Sequence, residues 1–236
     1  MNEGMVLERD AARDLAELEH DIEVFACYWE RRKERFLDEV WEEFSLRVQP
    51  RAICDAGSLP HDIAFMNVAM TEWFLFERAY QDGLTPLEFY VEHGLEGIAG
   101  DTADRLRQVA RTQLFSRFAI CEKDVASGRV VLEDTRSRRR YDVYDPRLCE
   151  VPSWLKGVIA ERIALVDGGW QMVGHVRLYD RAAPRPVTSE TPGEVHEGDV
   201  AQMAFLAHMG FYLRLLRDTI GMHGWYRGET RVVGKC

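Results

Sequence analysis

Apolar positions change their period twice along the chain. Up to about Leu114 they recur at three-and-four spacing, as in helices that bury one face. From Leu114 to Asp180 they recur at every second position, as in strands. Helical spacing then returns. The pattern predicts an α+β fold: an N-terminal helical block, a five-stranded antiparallel curled sheet or small barrel, and a closing C-terminal helix. The corresponding segments are 1–113, 114–181 and 182–236, expected to form one cooperative unit.

Asp10 to Val48 reads as helix, broken once near Cys27–Glu30, and Pro50 ends it. Residues 51–60 read as a loop. Asp62 to Tyr80 is the most apolar helix, and Asp62 suits its N-cap. Thr85-Pro86 starts a short helix through Val91, and Asp101 or Thr102 starts another that ends near Gln113. The strands expected are Phe115–Val125, Arg129–Thr135, Arg139–Tyr144, Val158–Val166 and Trp170–Leu178. Asp167-Gly168 between the last two is a strong hairpin signal. Ala182 to Asp199, with three prolines, reads as a mobile connection. One helix is expected from Asp199 to about Ile220, and an irregular tail from Gly221.

Charge refines this picture. The 236 residues carry 40 Asp plus Glu against 30 Lys plus Arg. That balance argues against broad nucleic-acid or anionic-membrane binding. Residues 1–114 have a net charge of −12, residues 115–181 a net of +2, and the remainder is even. The imbalance can be matched inside the chain or across a homodimer or another acidic partner. Five cysteines without a Cys-x-x-Cys pair read as free thiols in a cytoplasmic protein. Met1 to Asp14 lacks the apolar run of a signal peptide, and no membrane association is expected.

Trp73-Phe74-Leu75-Phe76-Glu77 is followed by Asp82-Gly83-Leu84-Thr85-Pro86-Leu87-Glu88-Phe89-Tyr90. Leu132-Glu133-Asp134, Tyr141-Asp142-Val143 and Ala160-Glu161-Arg162-Ile163 come later, before Gly174. Over residues 65–175 this series resembles a helical-plus-β segment of uncharacterised bacterial proteins, often found upstream of a SEC-C zinc motif. The zinc motif itself is not matched: only Gly234-Lys235-Cys236 stands at the end, and one thiol cannot make a four-ligand site. The resemblance implies a cytoplasmic bacterial protein with a helical-plus-β accessory domain of unknown role; the residues themselves give no reason to expect a cofactor.

Candidate chemistry is sparse. Arg136, Arg138, Arg139 and Arg140, with Tyr141, form the densest positive patch, at a hairpin tip, and are the candidate binding residues. Cys54 and His61 are the metal candidates, though no partner pair accompanies them. Glu17 and His20 have the Glu-x-x-His spacing of di-iron bundles, without a second copy. Gly94, Gly97 and Gly100 precede a helix but follow no strand, so they read as a chain turn. His196, His208 and His223 are isolated in sequence. No nucleophile, base and orienter converge. The expectation is therefore a binding or adaptor module without catalytic activity. Second comes an enzyme in a cleft between helices and sheet, using Asp134, Arg162 or the Cys54–His61 loop. Third comes a weak single-stranded nucleic-acid binder.

Overall fold

A computed structural model describes residues 10–54, 57–202, 208–224 and 229–232. The helical block holds α1 (Ala11–Glu30), a 3₁₀ turn (Lys33–Arg35), α2 (Leu37–Val48), α3 (Arg51–Cys54), α4 (Pro60–Phe76), α5 (Pro86–Glu92) and α6 (Gly100–Thr112). Asp10 caps α1 by accepting the Arg13 N–H at 3.1 Å. α1 ends at Glu30, at the edge of the break expected near Cys27–Glu30, and α2 begins at Leu37. Trp29 and Phe36 flank it with ring centroids 5.8 Å apart, and both pack on Phe74 of α4. α4 is apolar almost all round and lies inside the block, burying Phe65, Met66, Met70, Trp73, Phe74 and Phe76. It starts at Pro60, so Asp62 is not the N-cap. Its carboxylate instead accepts the Leu59 N–H at 3.2 Å from the third helical position. α5 is closed by Thr85 and Glu88, which hydrogen-bond each other's backbone N–H.

Five strands close a barrel: β1 (Leu114–Asp124), β2 (Arg129–Asp134), β3 (Arg140–Tyr144), β4 (Val158–Val166) and β5 (Gly169–Met172). The ring runs β1-β2-β3-β5-β4 and returns to β1. The sheet is mixed, not antiparallel throughout as the strand pattern suggests, because β3 pairs parallel with β5 at Val143–Trp170. The chain leaves β3 through a short helix, α7 (Pro146–Cys149), and crosses before β4 begins. β5 therefore comes back alongside β3 in the same direction. The β4–β5 turn uses Asp167 and Gly168 at φ 48° and 82°, the left-handed pair a tight hairpin needs.

The expected strand Trp170–Leu178 is interrupted at Val173–His175. It resumes as β6 (Val176–Asp180), which pairs with the start of β4. α8 (Glu197–Gln202), α9 (Phe211–Ile220) and β7 (Glu229–Val232) follow. The single closing helix is thus broken, and the residues around Met209 and Gly210 are not helical. The Arg214 side chain donates to the Met209 carbonyl there, which gives that carbonyl a partner outside a helix. The tail is not irregular throughout, since β7 adds to β6.

Alternation sorts the barrel wall. Phe118, Leu132, Val143, Ile159, Ile163 and Tyr179 fill the interior. Phe115, Ala160, Ala164, Val176 and Leu178 face outward and share one core with α1, α2, α4, α5, α6 and α9. Arginines of the β-unit pair with the acidic N-terminal block, Arg147 with Glu19 and Arg162 with Glu72 and Glu77, while inside that block Arg105 pairs with Glu17 and Asp21. These pairs match part of the charge imbalance within the chain. Gly157 stands where the barrel wall meets β6, at φ 117°, and a Cβ there would run into the Asp180 carbonyl. Gly157→Ala is expected to cost about 2–3 kcal/mol, since neither the dihedral nor the backbone contact can relax cheaply. An unchanged urea midpoint would show that the junction yields.

Candidate functional site: a cleft on the outer barrel wall

The alternation that puts Phe118, Ile159 and Tyr179 inside the barrel turns Arg117, Val158 and Asp180 outward. These three form the floor of a cleft of about 800 Å³. Thr135, at the start of the β2–β3 tip, borders one side. Residues 182–192 arch over it as a strap that contributes Ala183, Arg185, Pro186, Thr188 and Glu190, and His196 closes one end.

The strap is held unequally at its two ends. At the first, Asp180 accepts the Ala182 N–H at 2.9 Å. Residues 182–186 are then exposed. The Thr188–Thr191 turn follows, with the Thr191 N–H on the Thr188 carbonyl at 3.0 Å. Pro192, Gly193 and Glu194 are buried, so the expected mobile connection is pinned at this point. Gly193 takes φ 82° against the Phe211 ring, donates to Asp218 at 2.6 Å and accepts from Arg214 at 2.9 Å. Glu194 accepts Arg136 at 2.8 Å. His196 Nε2 lies 3.1 and 3.2 Å from the Asp218 carboxylate oxygens. The His196 backbone N–H donates to Asp199, which Arg217 grips with two hydrogen bonds of 2.8 and 3.0 Å. Arg217 and this N–H hold the Asp199 carboxyl below the usual aspartate range, against the opposing effect of burial.

The hairpin-tip candidates Arg136, Arg138, Arg139, Arg140 and Tyr141 do not line this cleft. Arg136 is tied to Glu194, and its guanidinium stands over the Phe211 ring. Arg138 and Arg140 share Glu133, at 2.8 and 2.9 Å. Arg139 lies over the rings of Tyr141 and Trp170, at 5.1 and 5.9 Å. Tyr141 is buried in the barrel interior, edge-on to Phe118, so its ring is part of the core rather than a stacking surface. Asp134 accepts the Ser116 hydroxyl and the backbone N–H groups of Arg136 and Ser137, which shapes the tip. His61 is exposed on the first turn of α4 beside Asp62, and the side chain of Cys54 lies outside the described residues. Glu17 is taken up by Arg13 and Arg105, and His20 is exposed. Among the described residues no cluster of His, Cys, Asp and Glu could hold a metal ion, and no helix is long and apolar enough to cross a membrane.

Two buried polar networks lie on the faces of β4: Arg162, a candidate for the enzyme reading, is tied up in one, and the other went unread in the sequence. On the outer face of β4, Arg162 is held by Glu72, Glu77 and Gln113. On the inner face, Glu161 is fully buried beside Arg177, which Asp145 binds at 2.6 Å. Neither Glu161 oxygen has a hydrogen-bond partner. Burial, with Asp145 adding to it, pushes the Glu161 carboxyl up to about 8 despite the opposing effect of Arg177. The available signal was the Glu161-Arg162 pair itself, two charges inside an otherwise apolar strand. Glu77 belongs to the outer network, as does Gly174, whose missing side chain admits the Glu72 carboxylate. No family model, no curated protein and no solved structure matches the chain.

Proposed function

We propose that the protein is a binding module whose ligand site is the cleft beneath the 182–192 strap. The observation that carries this reading is the lining. Apolar surface from Val158, Ala183, Pro186 and Pro192 alternates with the polar groups of Arg117, Arg185, Thr135, Thr188 and Thr191, in a volume of about 800 Å³. Ligand sites combine an apolar wall with a few placed polar groups in this way. By contrast, Arg162, Asp134 and Arg177, the charged groups nearest the chemistry an enzyme would need, are occupied in holding the fold together. At the hairpin tip, Arg136, Arg138 and Arg140 already have acidic partners within the chain, which favours the cleft over the tip as the contact for a nucleic acid or a second copy.

The reading is tested with a fragment screen followed by backbone amide NMR shifts. Hits are expected to move the amides of Arg117, Thr135, Thr188 and Thr191. They are expected to be lost in Ala183→Trp, which fills the cleft from an exposed strap position and leaves the fold intact. Hits that map elsewhere, or that survive the filled cleft, would overturn it.

One observation favours an enzyme at the same place. A histidine oriented by a buried carboxylate is an arrangement suited to general-base work, and His196 with Asp218 has it. Turnover of a bound fragment by wild type but not by His196→Gln would move the assignment to that reading.

A further inference from the structure

We propose that Asp145, Arg177 and Glu161, buried inside the barrel, form a proton-operated switch. With Glu161 protonated, Arg177 is bound to Asp145. Once Glu161 has lost its proton to bulk water, the guanidinium moves onto it and releases Asp145, together with the α7 turn that Asp145 caps.

The argument starts from a count of charge and of hydrogen bonds. The three side chains are at most 2 % exposed. One cation beside two carboxyl groups is neutral only if one of the two keeps its proton, and a low-dielectric interior favours the neutral set. The hydrogen bonds decide which one keeps it. Asp145 accepts the Leu148 N–H at 3.0 Å and the Arg177 Nη2 donor at 2.6 Å, and both bonds favour a carboxylate. Glu161 has no donor on either oxygen. The proton therefore sits on Glu161.

The same geometry shows what ionisation does. An ionised Glu161 needs donors, and most of those around it are spent. Ser116, opposite it on β1, gives its hydroxyl to Asp134 of β2. Lys123 of β1 donates to the carbonyls of Val151 and Trp154, and the Cys149 thiol of α7 to the Arg129 carbonyl. Arg147 of α7 is taken by Glu19 of α1. Among these groups Arg177 of β6 alone has donors to spare, at Nε and Nη1. Its Nε already lies 3.4 Å from Glu161, short of a hydrogen bond. Nε and Nη2 form one edge of a guanidinium, an edge that can meet a carboxylate with two parallel bonds. Here that edge spans Glu161 and Asp145. Two bonds to Glu161 take Nη2 away from Asp145, whose other oxygen caps α7. Because α7 also carries Arg147, paired with Glu19 at 3.0 Å, the switch reaches from the barrel interior to the helical block.

Burial, with Asp145 adding to it, puts the Glu161 step at about 8 against the pull of Arg177. Burial also raises the Cys149 thiol and lowers the Lys123 ammonium, so the test must tell these groups apart.

The full chain is titrated by NMR from about pH 6 to about pH 9.5, a range that brackets the expected step. The Glu161 side-chain carboxyl carbon, the Arg177 Nε–H and the amides of Leu148 and Cys149 are followed. All four are expected to move together with a midpoint at about 8, the Nε–H downfield as it gains an acceptor. Glu161→Gln keeps the shape of the protonated side chain. It is expected to hold the Leu148 and Cys149 amides at their low-pH positions throughout. A Glu161 carboxyl that titrates while the Leu148 amide and the Arg177 Nε–H stay fixed overturns the switch, and so does one that does not titrate in this range. A Leu148 step that survives Glu161→Gln overturns it as well, since the proton then belongs to Cys149 or Lys123. The wild-type titration decides the question without any substitution.

Discussion

Glu72→Ala lowers the stability of the fold by about 3–5 kcal/mol, the usual cost of removing one partner from a buried ion pair. Glu72 and Arg162 are almost fully buried, 3.1 Å apart between α4 and the barrel wall. Glu72 also accepts the N–H groups of His175 and Val176 at 2.8 and 3.0 Å, where β5 breaks off and β6 begins. Its loss leaves two backbone donors and the Arg162 Nε without an acceptor, while Glu77 and Gln113 still hold the other two guanidinium nitrogens. The rings of Phe76, Phe115 and Tyr212 surround that guanidinium at 5.0 to 5.4 Å. Urea unfolding measures the effect. Arg162→Leu combined with Glu72→Ala should cost less than the sum of the two single changes, since the second change removes the charge the first leaves stranded. A loss below about 1 kcal/mol for Glu72→Ala would mean that the network is not what joins helix and barrel.

The gain in stability of Glu161→Gln over wild type grows with pH. The folded protein holds the Glu161 proton up to about 8, whereas the unfolded chain releases it near the ordinary 4.5. Below that lower value both states are protonated and the residue contributes no pH dependence. Between the two values the unfolded state binds fewer protons, so wild-type stability falls as pH rises. Above the upper value both states are ionised and the penalty is constant. From pH 6 to pH 8 the penalty increases by about 2 kcal/mol on this account, or roughly 4–8 °C in the melting temperature. The Gln variant lacks this dependence, and the difference between the two proteins isolates it from every other titrating group. Equal differences at pH 6 and pH 9 would show that Glu161 is already ionised at neutral pH, with Arg177 neutralising it together with Asp145.

Sequence patterning located the elements well where one physical signal dominated. Val158–Val166 and its Asp167-Gly168 turn follow from alternation and from the backbone a two-residue hairpin requires. α5 follows from Thr85, Pro86 and Glu88, which act within a single turn. Errors appear where a distant partner decided the outcome. Trp170–Leu178 alternates without interruption, yet it splits because the Glu72 carboxylate enters at Gly174. The helical spacing from Asp199 to Ile220 continues past Gly210, yet the chain breaks there, where Arg214 reaches back to the Met209 and Gly193 carbonyls. The hairpin-tip arginines were legible as a charge cluster, but not as ion-pair partners of Glu133 and Glu194.

The sequence by itself determined the helical block, the barrel between two helical segments and the acidic helical half. Each is a property of local period, propensity or composition, and these act over neighbouring residues. Tertiary structure alone decided the parallel β3–β5 pairing that closes the barrel, the placement of Glu161 and Arg162 on opposite faces of one wall, and the cleft. The cleft joins Arg117, Val158 and Asp180 on three strands to Arg185 and His196 on a segment that no periodicity describes. Whether such residues meet depends on strand register and on what anchors the strap. In this chain the anchors are Gly193, Glu194 and Asp218, buried contacts between segments whose proximity exists only after the chain has folded.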